Sequence, residues 1–281
     1  LCRYVSFDVS YRDNSCTTSD RYVKILDFRH LRGFSGEVLD MDYIKEKLYQ
    51  QLAIDYCCQV SDIKDDKNHF TEYEKLKGRR QFEEAADCVL KVIAVNGKLI
   101  FTGKKSIIEV CRKQFSNNSG NWFMDASNFR KLDEILMNDG YRVKTAHPFF
   151  IPKDDCVHEI NGVKIKKYNQ EEILQFKDDD RFDEAFCFSE ESPDVLAVAA
   201  IIDDEIVGMA GASADSSSFW QIGINVSPHA REMHVGSTLV RLLAQDILAQ
   251  GTIPYYGTSM SHIASQRVAH RAGFAVAWAE L

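Results

Sequence analysis

Residues 220–251 read WQIGINVSPHAREMHVGSTLVRLLAQDILAQG, and the fold turns on how this stretch is parsed. Trp220, Ile222, Ile224 and Val226 alternate with polar or small residues, the two-residue period of a strand. Pro228 has no N–H to donate to a ladder, so the strand is expected to stop before it. From Arg231 the period changes. Gly236, Leu239, Val240, Leu243 and Ile247 recur at three- and four-residue spacings, which predicts one face of a helix running from Arg231. Gly251 lies where a left-handed cap is easiest for glycine.

A strand that turns directly into a helix aims the first helical N–H groups off the strand end. Those donors have no intrahelical partner, and the helix dipole adds partial positive charge. The result is an anion site of the kind phosphates occupy. Arg231 adds a full charge at its mouth, and Gly236 lets backbone approach closely. The plain alternative is a strand-turn-helix corner with a surface arginine.

The spacing V-x-P-x-x-R-x-x-x-x-G-x-x-L-V (Val226, Pro228, Arg231, Gly236, Leu239, Val240) resembles the acyl-CoA pyrophosphate loop of the GNAT superfamily of N-acyltransferases, usually R/Q-x-x-G-x-G/A. His234 stands where the first glycine is usual, a departure from the pattern. Residues 261–274, SHIASQRVAHRAGF, are similar to the last helix of that family, which ends in Gly-Phe before a final strand. The resemblance covers residues 157–281 and implies acetyl-CoA as co-substrate. It implies that backbone N–H groups of Arg231, Glu232, Met233, His234, Val235, Gly236 and Ser237 clasp the pyrophosphate. It also implies that Ile224, Asn225 and Val226 pair with the pantetheine arm like another strand, with His262 and Ser265 near the pantetheine or the sulfur. Many family members carry an acidic tyrosine on the last helix; the matching position here is Ala269. The catalytic acid and base therefore stay open, with His262 and Tyr256 as candidates. If His234 requires positive φ, its β-carbon crowds the loop, since histidine adopts that region only occasionally.

The rest of the second half supports the same reading. A strand is expected at Val163–Lys167 and helix over residues 170–188. Strands follow at Val195–Ile202, Glu205–Ser213 and Ile253–Thr258, with a turn at Asp203-Asp204. A last helix capped by Ser261 and a final strand Phe274–Trp278 complete the order β-α-α-β-β-β-α-β-α-β, which matches the GNAT fold. The first half reads as α+β. Strand alternation is expected at 3–11 and a helix at 40–54 with Asp40 as N-cap. Residues 61–85 read as solvated helix and loop, with Arg79-Arg80 on the surface. A hairpin at 88–102 turns on Asn96-Gly97. Two helices follow, the second capped by Ser127, and then a strand at Tyr141–Ala146. Pro148 and Pro152 suggest a boundary. The expected organisation is a mixed α+β/α/β chain: a separate N-terminal α+β domain (1–152), similar in outline to extensions of some bacterial GNAT proteins, and a GNAT-like domain (153–281) whose mixed central sheet is flanked by helices.

The chain has 281 residues, enough for two domains, and a net charge of −8. That charge argues against non-specific nucleic-acid binding, which needs a basic face. No apolar run approaches the roughly 18 residues of a membrane span, and residues 1–15 are too polar for a signal peptide. The eight cysteines form no C-x-x-C pair, so free thiols in the cytoplasm are expected and a metal site is not. Asp178, Asp179, Asp180, Asp183, Glu184, Glu190 and Glu191 lie with Phe186 and Phe188. Carboxylates beside aromatics suit a cationic amine acceptor, small-molecule or peptide, although a solvated face explains the same run. The leading expectation is an acetyl-CoA-dependent N-acetyltransferase, as monomer or homodimer. The alternatives are a non-catalytic acyl-CoA-binding module and a structural protein that keeps the fold.

Overall fold

The computed structural model describes residues 40–81, 89–153, 163–231 and 233–281. The strand expected at 3–11 lies outside them. The strands in chain order are β1 (His69–Glu72), β2 (Leu90–Val95), β3 (Lys98–Gly103), β4 (His147–Pro152), β5 (Lys164–Asn169), β6 (Asp194–Ile202), β7 (Glu205–Ser213), β8 (Phe219–Val226), β9 (Ile253–Gly257) and β10 (Phe274–Glu280). The helices are α1 (Met41–Asp55), α2 (Val60–Lys64), α3 (Lys105–Phe115), α4 (Ala126–Met137), α5 (Gln170–Ile173), α6 (Val235–Ala249) and α7 (Ile263–Arg271). The strands form one mixed sheet in the order β1-β3-β2-β10-β4-β9-β8-β7-β6-β5.

Local chemistry accounts for the elements that sequence reading placed well. Asp40 Oδ1 accepts from the amides of Asp42 and Tyr43 and starts α1. Asn96 (φ 51°) and Gly97 (φ 80°) make the tight β2–β3 turn, and Asp203 and Asp204 do the same between β6 and β7. The apolar stripe of α6 (Leu239, Val240, Leu243, Ile247) packs with α7 on one face of the sheet, against Val198, Ala210 and Ile222. On the other face, Ile44, Leu48 and Leu52 of α1 pack against Phe149, Phe219, Tyr255 and Trp278. Each such side chain contributes about 1.5–3 kcal/mol on burial. Helix α1 is therefore anchored in part by residues some 100 to 240 positions away in sequence.

Several elements differ from expectation. Residues 141–146 are not a strand. The strand is β4, which includes both prolines of the expected boundary loop. It tolerates them because its ladder with β9 uses only Phe149 and Phe150. Phe149 and Phe150 face opposite cores, as an interior strand requires. Residues 170–188 are a short helix followed by separate 3-10 turns at Leu174–Phe176 and Asp180–Phe182, not one helix. Helix α4 has Asp125 at its N-cap, two residues before Ser127. Helix α7 begins after His262, one residue beyond the expected cap. Strand β10 is interior, lying between β2 and β4, so hydrogen bonding continues across the expected 152/153 division.

Arg80, expected at the surface, is buried at 5% exposure. Its Nε is 2.5 Å from Asp55 and its Nη2 2.9 Å from Glu280, which Lys91 also meets at 2.7 Å. Its guanidinium also lies over the rings of Tyr255 and Trp278, 5.4 and 5.2 Å from their centroids. This cluster ties α1 to the last strand. Burial disfavours the charge on Glu280, but Lys91 and Arg80 outweigh it and hold the carboxyl well below the usual range. Beside the cluster, Asp215 accepts from Ser213 (2.8 Å) and from the Tyr255 hydroxyl, and burial pushes its carboxyl up to about 6.

Two outcomes follow from this cluster. Arg80→Ala leaves the buried Asp55 carboxylate without its cation and Glu280 with Lys91 alone, and should cost about 3–5 kcal/mol in denaturant unfolding. A loss under 1 kcal/mol would show the cluster to be dispensable. Because the folded carboxyl of Asp215 lies above its unfolded value near 3.9, the native state holds an extra proton between about pH 4 and 6. Its contribution is fully present below pH 4 and is lost as pH rises through 6. Asp215→Asn should therefore gain on the parent by about 3 kcal/mol between pH 4 and 7, whereas a pH-independent difference would contradict this assignment.

Candidate active site

Strands β8 and β9 run parallel but stay paired only from Phe219↔Ile253 to Gln221↔Tyr255. Beyond that point β8 continues to Val226 while bonded to β7 alone, and β9 is held by β4 through Phe149 and Phe150. The two strands part into a fork. Among the described residues, one edge of β8, Ile222 to Val226, lacks a strand partner, so its backbone groups are available to an extended ligand. This edge includes Ile224, Asn225 and Val226.

The chain leaves β8 through a 3-10 turn at Pro228–Ala230, and α6 begins at Val235, not at Arg231. The periodicity could not show this, because a loop before the first apolar helical position carries no period of its own. His234 is the N-cap in the left-handed region (φ 60°, ψ 10°). Strain of about 1–2 kcal/mol attaches to such a residue, and its side chain is exposed. His234 thus makes the bend that glycine usually makes. Its carbonyl accepts from the Thr238 amide and the Ser237 hydroxyl, both at 3.1 Å. The amides of Val235, Gly236 and Ser237 find no backbone acceptor among the described residues. Arg231 and Met233 are exposed on the rim; the Glu232 side chain lies outside the described residues. A β-carbon on Gly236 would sit 3.3 Å from Val226 and 3.4 Å from Val268, so β8 and α7 pack closely around this glycine. Unpaired helix-start amides, a cationic rim and an open strand edge fit a diphosphate carried on an extended arm.

On the other lip, Tyr256 of β9 reaches α7. Its hydroxyl is 2.6 Å from Ser265 Oγ and is buried. Burial raises the phenol's pKa, the Ser265 bond opposes this, and the Glu184 carboxylate raises it further. The structure therefore brings Tyr256 and Ser265 together. It leaves His262 exposed at the N-cap of α7, with no side-chain cap bond. Tyr255 points the opposite way, to Asp215 and Gln221.

Sequence reading missed how the acidic segment is fixed. Asn225 Oδ1 accepts from the amides of Glu184 (3.0 Å) and Ala185 (2.7 Å), and its Nδ2 donates to Asp183 (2.9 Å). Gly211 and Gly223 are register partners, and β-carbons there would lie 2.1 Å from the Ala185 carbonyl and 1.9 Å from that of Glu184. Two bare glycines let the acidic segment lie flat on the sheet beside the fork. Asp179 pairs with Arg181 at 2.7 Å, so not all of the run is free for a ligand. A pocket of about 560 Å³ adjoins the fork at Gln221 and Gly257 and is walled by the start of β2, the 141–145 loop and the ends of β4 and β10.

The profile of the Acetyltransferase (GNAT) family matches residues 163–274, the segment that builds the fork, α6 and α7. Residues 163–274 are a GNAT domain. Members of this family transfer acyl groups and use acetyl-CoA as co-substrate. Solved structures similar to the chain include a GCN5-related N-acetyltransferase-like protein from Streptococcus suis, with 10% identity over 84% of this chain and 98% of that one and a TM-score of 0.42. A GNAT-family acetyltransferase from Colwellia psychrerythraea is 12% identical over 53% of this chain and 60% of that one, with a TM-score of 0.38. An aminoglycoside acetyltransferase from an uncultured soil metagenomic sample, in complex with sisomicin, is 15% identical over 40% of this chain and 88% of that one, with a TM-score of 0.32. The chain spans 62% and 60% of the length of the first GNAT-family structures it matches. No curated protein matches it in sequence. Among the described residues, no helix is long and apolar enough to cross a membrane.

Within the GNAT domain, the loop makes a direct test. Arg231→Ala should weaken acetyl-CoA binding by about 1.5–3 kcal/mol in titration calorimetry if the guanidinium meets phosphate. His234→Gly, which adopts the same φ without strain, should bind within threefold of the parent, and β-branched His234→Val should lose at least tenfold. Equal affinity for all three His234 residues would show that the loop does not shape the donor site.

Proposed function

We propose that the chain transfers the acetyl group of acetyl-CoA to a primary amine by direct attack within the fork. The observation that carries the reading is the coincidence of three features at one place. They are an unpaired β8 edge, free amides at the start of α6, and the buried Tyr256 bonded to Ser265 on the opposite lip.

In this reading the amides of Val235, Gly236 and Ser237, with Arg231, hold the pyrophosphate, while Ile224 to Val226 hold the pantetheine arm. Acetyl-CoA supplies an activated acyl carbon. The amine nitrogen bonds to that carbon, the carbon–sulfur bond breaks, the amine loses a proton and the sulfur gains one. An ammonium with pKa near 10.4 must shed its proton before attack, and a carboxylate close by, directly or through a water, serves that end. Glu184, on the segment fixed by Asn225, raises the pKa of the Tyr256 phenol electrostatically and would receive the incoming ammonium. Tyr256 suits the acid role. Burial keeps its phenol protonated at neutral pH, and Ser265 fixes its direction. It would take the place left open by Ala269. A backbone N–H near Val226 would polarise the thioester carbonyl. The free thiols Cys57, Cys58, Cys111 and Cys187 suit a reducing cytoplasm.

A non-catalytic acyl-CoA-binding module needs the loop but not the tyrosine, so the Tyr256–Ser265 pair favours the enzyme. Tyr256→Phe should lower kcat about 10²–10⁴-fold in a thiol-release assay while leaving the acetyl-CoA Kd within threefold. Full activity in that variant would remove Tyr256 from the chemistry. If the parent binds acetyl-CoA but releases no thiol with polyamines, aminoglycosides, amino acids or peptides, the binding-module reading replaces the enzyme.

A further inference from the structure

The pocket beside the fork has a charge opposite to that of the chain. The net charge is −8, yet Lys91, Arg142 and Lys144 line the pocket against one carboxylate side chain, Glu280, with His147 beside them. Glu280 is already neutralised by Arg80 and Lys91 at 2.9 and 2.7 Å. Arg142 has no acidic partner among the described residues, and it is exposed. Near the sheet, His147 Nδ1 is buried with no hydrogen-bond partner among the described residues, although imidazole nitrogens removed from water are normally bonded. Two independent observations thus meet in one cavity: an exposed arginine with no acidic partner among the described residues and a buried ring nitrogen with no hydrogen-bond partner among them. Gln221 and Gly257 place the inner end of that cavity where β8 and β9 part, and the Arg142–Lys144 segment forms its outer wall. The acidic side chains near the fork, Asp183 and Glu184, belong to the segment pinned by Asn225.

We infer that the acceptor is amino-acid-like, its amine entering the fork beside Glu184 and its carboxylate lodging in the pocket against Arg142 and Lys144. A diamine or polyamine would set a second cation against that outer wall. At about 560 Å³ the cavity holds more than a small amine, so an amino acid with a large side chain, or a short peptide with a free α-amine and α-carboxylate, fits its size. The inference rests on the transfer reading above, and its test separates the two.

The test uses the full chain with acetyl-CoA and matched probes: the common amino acids and dipeptides, each beside its carboxamide and decarboxylated amine. Thiol release reports turnover, and calorimetry with CoA present reports binding. The expected result is a kcat/KM at least tenfold higher for the carboxylate members. In Arg142→Ala/Lys144→Ala that preference should collapse at least tenfold through KM, with the acetyl-CoA Kd as the control for folding. Arg142→Gln/Lys144→Gln, which keeps side-chain bulk, should behave alike. Equal or better use of amides and amines by the parent overturns the inference while leaving acetyl transfer intact, and so does a preference that survives both variants. If no probe is turned over, the transfer reading fails. Calorimetry then decides the pocket alone: tighter binding of acids than of amides, lost in the variants, supports it, and equal binding refutes it.

Discussion

The structure depends on a failure of pairing. Strands β8 and β9 begin as ordinary parallel neighbours and then part, because each is committed elsewhere. Strand β8 stays in register with β7 to Val226, whereas β9 is held by β4 at Phe149 and Phe150. Backbone polar groups in a sheet interior are normally satisfied, so an unpaired edge of this kind is costly unless something extended lies along it. The loop into α6 and the Tyr256–Ser265 contact stand at the two sides of that gap. The fork is thus a consequence of sheet topology, and the side chains at its rim refine it.

The same topology explains why residues before the expected boundary matter to the site. Strand β10 lies between β2 and β4, and Arg80 joins α1 to Glu280 at the end of β10. The pocket next to the fork takes walls from both halves of the sequence. A buried arginine with two carboxylates is a poor source of net stability, since desolvation offsets much of the attraction. Its effect is better described as registration: only one docking of α1 against the last strand leaves all the charges paired.

Charge is distributed by position more than by composition. The acidic segment 178–191 gives the chain part of its negative balance, but Asp179 is taken up by Arg181 and Asp183 by Asn225. The pocket is cationic inside a chain of net charge −8. Total charge therefore bears on non-specific partners such as nucleic acid and says little about a small cavity.

Residues 220–251 were legible because each carries a local signal. The two-residue period of Trp220 to Val226, the stop at Pro228 and the stripe from Leu239 to Ile247 need no distant partner to be read. The hairpin at Asn96-Gly97 and the Asp40 cap are similar cases. Sequence alone therefore determined the strand–loop–helix unit, the family pattern in its residues and the candidacy of Tyr256 and Ser265. It did not reveal that α6 starts four residues late, because the preceding loop has no period. It hid β4, because Pro148 and Pro152 are breakers by local rule and are harmless only where the ladder with β9 skips them. It placed Arg80 in water, because an arginine in a charged stretch looks exposed until Asp55 and Glu280 arrive from elsewhere in the chain. The fork, the meeting of Tyr256 with Ser265, the pinning of Glu184 by Asn225 and the cationic pocket were decided only by tertiary structure. Each is a contact between segments far apart in sequence, and local periodicity holds no record of which strand will lie beside which.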